Sequence, residues 1–149
     1  MPMLPQIQRA LLAGKHPRDF GADFLDDGGQ RAAYLFGDYV IKARVPAWRH
    51  DTVNNDADAR ACAPSVLYAV PVLPFKRLGV CPPEQHVFGT WVVQPYYRPF
   101  TSIERASWAW LDKAVVYWQP QPHRRIRLDV HPDNMGVHLQ AGTVHVFDW

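Results

Sequence analysis

Apolar and polar positions along this chain fall into short runs. Most of the runs are strand-like, and a few are helix-like. Residues 4–13 read as a short amphipathic helix closed by Gly14. Residues 23–44 run Asp-Phe-Leu-Asp-Asp-Gly-Gly-Gln-Arg-Ala-Ala-Tyr-Leu-Phe-Gly-Asp-Tyr-Val-Ile-Lys-Ala-Arg. That pattern predicts strand, glycine turn (Gly28, Gly29), strand, Gly37-Asp38 turn and strand. Residues 70–80 and 86–96 read as two further strands, separated by Cys81-Pro82-Pro83. The expectation for 24–96 is a five-stranded antiparallel lobe with one short helix within 52–62. Residues 102–118 read as the longest helix, capped by Ser102, with Ile103, Ala106, Trp110, Ala114 and Tyr117 at helical spacing. That stripe predicts core rather than ligand contact. Residues 135–139 and 143–147 read as two strands joined by Gln140-Ala141-Gly142. Alternation allows Val137, Leu139, Val144 and Val146 to share one buried face. Such a hairpin returns Asp148 towards Asn134.

Length and composition narrow the class. A chain of 149 residues with 48% hydrophobic and 13% aromatic content suits one α+β globular domain with a real core. A net charge of +2 makes no case for nucleic acid. Arg124, Arg125 and Arg127 form a local basic run, readable as a solvated loop or as a contact for an anionic substrate or phosphate. Cys62 and Cys81 lack metal or redox spacing and suit a reducing, cytoplasmic setting. The start lacks the pattern of a signal peptide, and no apolar run reaches the length of a membrane span. Repeats and low-complexity segments are absent, and the fourteen prolines mark many turns.

Candidate chemistry concentrates near the C-terminus. Residues 128–134 read Leu-Asp-Val-His-Pro-Asp-Asn, and the hairpin that follows ends in Asp148. Taken singly, an Asp or Asn beside a Pro is a turn former. Taken together, the residues and their spacing resemble the catalytic loop and metal-binding strand of the protein kinase-like superfamily, especially its aminoglycoside and small-molecule phosphotransferase branch. There the pattern is roughly Asp-x-His-x-x-Asn, then an apolar strand ending in Asp. Asp129, His131, Asn134 and Asp148 stand in those places. Phosphoryl transfer needs a carboxylate to orient the attacking hydroxyl, and hard oxygen ligands to hold divalent metal against the phosphates. The resemblance implies Asp129 for the first role, and Asn134 with Asp148 as ligands of Mg²⁺ or Mn²⁺.

The N-terminal half is similar in order. Lys42 lies in Val-Ile-Lys-Ala, like the Val-Ala-Ile-Lys type of motif, after the Gly28-Gly29 turn. The resemblance implies that Lys42 and these glycines meet the phosphates of ATP, that Asp58 or Asp56 partners the lysine, and that Tyr96 lies where the chain enters the hinge that meets adenine. Pro95 removes one backbone donor there. The implied fold is a minimal kinase-like α+β domain spanning 1–149. It has an N-lobe over about 1–96 and a reduced helical C-lobe, carrying the hairpin, over about 97–149. Three features depart from the family. Leu128 replaces the Arg of protein kinases, Trp149 replaces the Phe of Asp-Phe-Gly, and the sequence stops one residue after Asp148.

Three functions follow as alternatives. One is an ATP- and Mg²⁺-dependent phosphotransferase. Another is a kinase-shaped binding or inhibitory module acting on a partner protein, with a partner or second copy covering the reduced lobe. The third is a metal-binding protein, since His131, His138 and His145 recur every seven residues. A closed set of zinc ligands is not evident in that spacing.

Overall fold

The computed structural model describes residues 3–26, 32–43, 72–121, 124–128 and 130–147. The chain divides into two compact units. The first draws on Met1–Val45 and Glu84–Tyr96, the second on Pro46–Pro83 and Tyr97–Trp149.

In the first unit, helix α1 (Met3–Leu12) places Ile7 and Leu11 one turn apart, and both are buried. The helix ends in paired hydrogen bonds, Gly14 N–H to the Leu11 carbonyl (3.0 Å) and Lys15 N–H to the Ala10 carbonyl (3.1 Å). They satisfy carbonyls that the last turn would otherwise orphan. A 3-10 turn at Pro17–Phe20 follows, held by a reciprocal cap between His16 and Asp19. Strands β1 (Asp23–Asp26), β2 (Ala33–Phe36) and β3 (Tyr39–Ala43) come next, then β4 (His86–Phe88) and β5 (Trp91–Pro95). They form one antiparallel sheet in the order β1-β2-β3-β5-β4. Ile41 and Val93 face each other across β3 and β5, and with Tyr34, Ala22, Ile7 and Leu11 they make the core of this unit. Each fully buried aliphatic side chain there contributes about 1.5–3 kcal/mol of transfer free energy.

The sheet has five strands, as its apolar pattern suggests, but two are drawn differently. Residues 70–80, expected as a strand, contain helix α2 (Val72–Leu78). Pro74 explains the difference. In a strand interior it removes a ladder bond, whereas in a first helical turn its missing N–H has no partner to lose. Residues 86–96, expected as one strand, fold into the β4–β5 hairpin around Gly89, whose φ of +63° is open to glycine at little cost.

The second unit is a small core fed by many short segments. Phe75 of α2, Val80, Phe100, Leu111, Val116, Val130, Met135 and Val146 are buried together. Strands β6 (Arg98–Pro99), β9 (Met135–His138) and β10 (Thr143–Val146) form an antiparallel sheet in the order β10-β9-β6. Cys81 joins the outer side of β10, donating its N–H to the Val144 carbonyl at 2.7 Å and accepting from Val146 N–H at 3.3 Å. Strands β7 (Val116–Gln121) and β8 (Arg124–Leu128) pair separately as an antiparallel ribbon.

Residues 102–118 do not form one long helix. Helix α3 (Ser102–Ser107) passes into a 3-10 segment (Ala109–Lys113) and then into β7. The cap is Thr101, not Ser102. Thr101 Oγ1 accepts the Glu104 N–H at 3.3 Å, and Glu104 Oε1 accepts the Thr101 N–H at 2.8 Å. The anticipated core stripe is largely outside, with Ile103 81% and Trp110 53% exposed. Leu111 is buried in its place. The consecutive β-branched residues Val115 and Val116, followed by Tyr117, favour the extended ribbon over further helix. The basic run, weighed as a loop, is strand β8.

Candidate functional site

Lys42 stands on β3, flanked by β2 and β5, with Ala33 and Val92 as its ladder neighbours. Val40 and Lys42 share one face of β3, and Ile41 points to the core on the other. Lys42 is 7% exposed. A lone strand lysine is most often a solvated edge residue, whereas Lys42 is buried on the central strand. Gln94, opposite Val40 on the neighbouring strand, is also buried.

Tyr96 follows β5 directly and is half-exposed. Its N–H donates to the Asp38 carbonyl at 2.7 Å. Pro95 has no N–H. Neither Pro95 nor Tyr96 therefore offers a spare backbone donor at this corner.

In the second unit, Asn134 ends the 3-10 turn Pro132–Asn134. Val130 and Pro132 are buried on either side of His131, and Met135 is buried just beyond, so the loop is pinned into the core at alternate positions. The Asn134 N–H donates to the His131 carbonyl (2.9 Å), and its own carbonyl accepts the Phe147 N–H (2.8 Å). The hairpin thus brings the chain back to Asn134 one residue before Asp148. His131 Nδ1 lies 4.0 Å from Asp133 Oδ2.

The other candidates, Gly28, Gly29, Asp58, Asp129 and Asp148, lie outside the described residues, as do Asp56 and Cys62.

The hairpin register pairs Thr143 with His138, Val144 with Val137, His145 with Gly136 and Val146 with Met135. Val137, Val144 and Val146 face the core as expected. Leu139 does not, because β9 ends at His138 and leaves it 66% exposed; Met135 takes the fourth place.

The opposite face holds a cluster that its histidine spacing only hinted at. The His145 ring stacks on Tyr97 with centroids 4.5 Å apart. Its Nδ1 donates to the Pro82 carbonyl (3.1 Å), and its Nε2 lies 2.7 Å from Thr143 Oγ1. His138 Nδ1 accepts the Ala141 N–H at 3.1 Å, closing the turn, and the two imidazole centroids are 6.1 Å apart. Both rings are engaged in fixing the hairpin. Among the described residues, no group of three or more His, Cys, Asp or Glu side chains is placed to hold a metal ion.

Arg98 and Glu104 form a bidentate pair, Nη1 to Oε1 at 2.9 Å and Nη2 to Oε2 at 3.0 Å, which ties β6 to the start of α3. The fork from Arg98, helped by the Thr101 N–H, holds the Glu104 carboxyl down at about 2.

Comparison with known proteins adds no family: no protein-family model, curated protein or solved structure matches the chain.

Proposed function

We propose that this chain is an ATP- and Mg²⁺-dependent phosphotransferase of minimal kinase-like organisation. The observation that carries the reading is Lys42, buried on the third strand of a five-stranded antiparallel sheet. A lysine on that strand, in a Val-Ile-Lys-Ala context, is the phosphate-pairing element of kinase-like enzymes. Low exposure strengthens its attraction for phosphate oxygens. In the second unit, support comes from the pinned loop that ends in Asn134 and from the hairpin that returns to it at Phe147. In this reading Asn134 and Asp148 supply oxygen ligands to Mg²⁺ or Mn²⁺. Asp129 orients the acceptor hydroxyl and takes its proton, while the hydroxyl oxygen bonds to the γ-phosphorus and ADP leaves with the bridging oxygen. Gly28 and Gly29 approach the phosphates through their N–H groups, Asp58 partners Lys42, and the Tyr96 ring meets the base.

The test is calorimetric binding of Mg·ATP to the full chain. Lys42→Ala should weaken binding by about tenfold or more while the fold persists, since a charge-assisted phosphate contact is worth at least 1.4 kcal/mol, roughly one decade. Asp148→Ala should remove the dependence of ATP affinity on divalent cation. Wild-type protein that fails to bind ATP at about 1 mM would sink this reading. Binding without transfer would favour the kinase-shaped binding module.

A further inference from the structure

The histidine-bearing face of the β9–β10 hairpin is unused by the roles assigned above. His138 pairs with Thr143 and Gly136 with His145, and directly paired residues share a face. The two imidazoles there hold their protons on different atoms. The Ala141 N–H can only donate, so the His138 Nδ1 that accepts it at 3.1 Å carries a lone pair, and the proton of the neutral ring sits on Nε2. The Pro82 carbonyl can only accept, so the His145 Nδ1 at 3.1 Å carries the proton. The neutral His145 ring then accepts from the Thr143 hydroxyl at Nε2, 2.7 Å away.

A second proton therefore acts differently on the two rings. At His145 it goes to Nε2. The Thr143 hydroxyl turns and accepts instead, the bond to Pro82 stays, and the cation lies stacked on the Tyr97 ring. At His138 it goes to Nδ1, the atom that closes the turn. Donor then faces donor, and the bond from Ala141 is lost. The titratable groups that face His138 among the described residues are His145 from β10 and Tyr97 from the segment entering β6, each with its ring centroid 6.1 Å away. The Cys81 thiol belongs beyond His145, its partner in the outer bridge. Arg98 pairs with Val137 and so belongs to the opposite face. With both imidazoles cationic, their repulsion adds to the opening of the turn.

From these opposed proton placements we propose that His138 is a proton-sensitive latch on the β9–β10 turn. Neutral, it holds the Ala141 N–H and closes the turn onto the end of β9. Protonated, it releases that N–H while the sheet persists. Histidine suits the task because its charge changes in the neutral range. The sheet persists because its own bonds join backbone groups that do not titrate, such as the Phe100 N–H on the Met135 carbonyl at 3.2 Å. The latch stands independently of the phosphotransferase reading.

The experiment is heteronuclear NMR of the isotope-labelled full chain. At about pH 8 the ring nitrogens should show His138 as the Nε2–H tautomer and His145 as the Nδ1–H tautomer. Protection of the Ala141 amide against exchange is then followed from about pH 8 to about pH 5, taken relative to the intrinsic rate at each pH. It should fall by about fivefold, the factor that one net hydrogen bond supports. The Phe100 amide of the same unit should keep its protection within about twofold. His138→Asn replaces Nδ1 by an amide oxygen that accepts at every pH, so its Ala141 protection should vary by less than about twofold over the range. His145→Asn keeps a donor for the Pro82 carbonyl and should still show a fall of about threefold or more. His138 found as the Nδ1–H tautomer at the upper pH, Ala141 protection that ignores pH, or the same fall in His138→Asn would each overturn the latch. So would an equal fall at Phe100, which marks acid unfolding of the whole unit, and so would loss of the pH dependence in His145→Asn, which assigns the switch to the other ring. Should a variant not fold, the wild-type tautomers and the comparison of Ala141 with Phe100 carry the test.

Discussion

At the scale of single residues, the Arg98–Glu104 fork makes a sharp prediction about pH. Glu104 is held at about 2, first by the Arg98 side chain and then by the Thr101 N–H. In an unfolded chain a glutamate titrates near 4.3. The folded value is the lower one, so the stabilisation is fully present above the unfolded value and is lost as pH falls through the interval from roughly 4.3 towards 2. The pair is part-exposed, so the effect is smaller than its short distances suggest. Glu104→Gln removes both the fork's charge and the carboxylate half of the capping box. Its melting temperature should fall below that of the wild type at neutral pH, and the two curves should converge as pH approaches 2. A difference that stays constant across this range would show that the charge of Glu104 plays no part. Tyr96 gives a second residue-scale lesson. The sequence indicates an aromatic residue at the end of β5, but only the fold shows that its N–H is already given to Asp38.

At the scale of elements, Gly136 decides how closely β6 can approach β9. A Cβ there would lie 2.6 Å from the Arg98 carbonyl oxygen and 3.1 Å from the Tyr97 Cβ. The first obstacle is backbone and cannot swing away. Gly136→Ala should therefore cost roughly 1–3 kcal/mol, the range for overpacked positions, read as a lower urea midpoint with unchanged m-value. An unshifted midpoint would mean that β6 can move outward freely. Phe75 is the matching case in the core. It is fully buried on α2, and Phe75→Ala should cost about 3–5 kcal/mol by the same measurement. Elements like these also show what a sequence reveals and what it hides. Strands β1 to β3 and the β9–β10 hairpin were legible because alternation and turn residues agree locally. Helix α2 was not, because the apolar run holding Phe75 suits strand and helix alike, and Pro74 discriminates between them only through its position in a first turn. The break after α3 was hidden for another reason. Ile103, Trp110 and Tyr117 have helical spacing yet are exposed, and burial was claimed instead by Leu111 and Val116. Periodicity records which residues could share a face, while the tertiary core chooses which ones do.

At the scale of the whole molecule, no helix among the described residues is long and apolar enough to cross a membrane. The net charge of +2 is small for 149 residues, so long-range attraction for polyanions is weak. Local geometry must then supply recognition of any phosphate compound, which is what Lys42 is proposed to do. The chemical step is the most demanding consequence of that proposal. An acceptor base touches the attacking hydroxyl and not the nucleotide, so its removal should separate rate from affinity. Asp129→Asn keeps size and hydrogen bonding but cannot take a proton. It should lower turnover by about 10²- to 10⁴-fold, the usual contribution of a positioned general base, and leave the Kd for Mg·ATP within about twofold. Turnover is read with γ-labelled ATP, as transfer to water, to the chain itself and to a small-molecule extract. Lys42→Ala gives the opposite split, with its loss appearing in ATP affinity. Transfer that is indifferent to Asp129→Asn would assign the base elsewhere. Loss of ATP affinity in the same variant would place Asp129 with the nucleotide rather than with its acceptor.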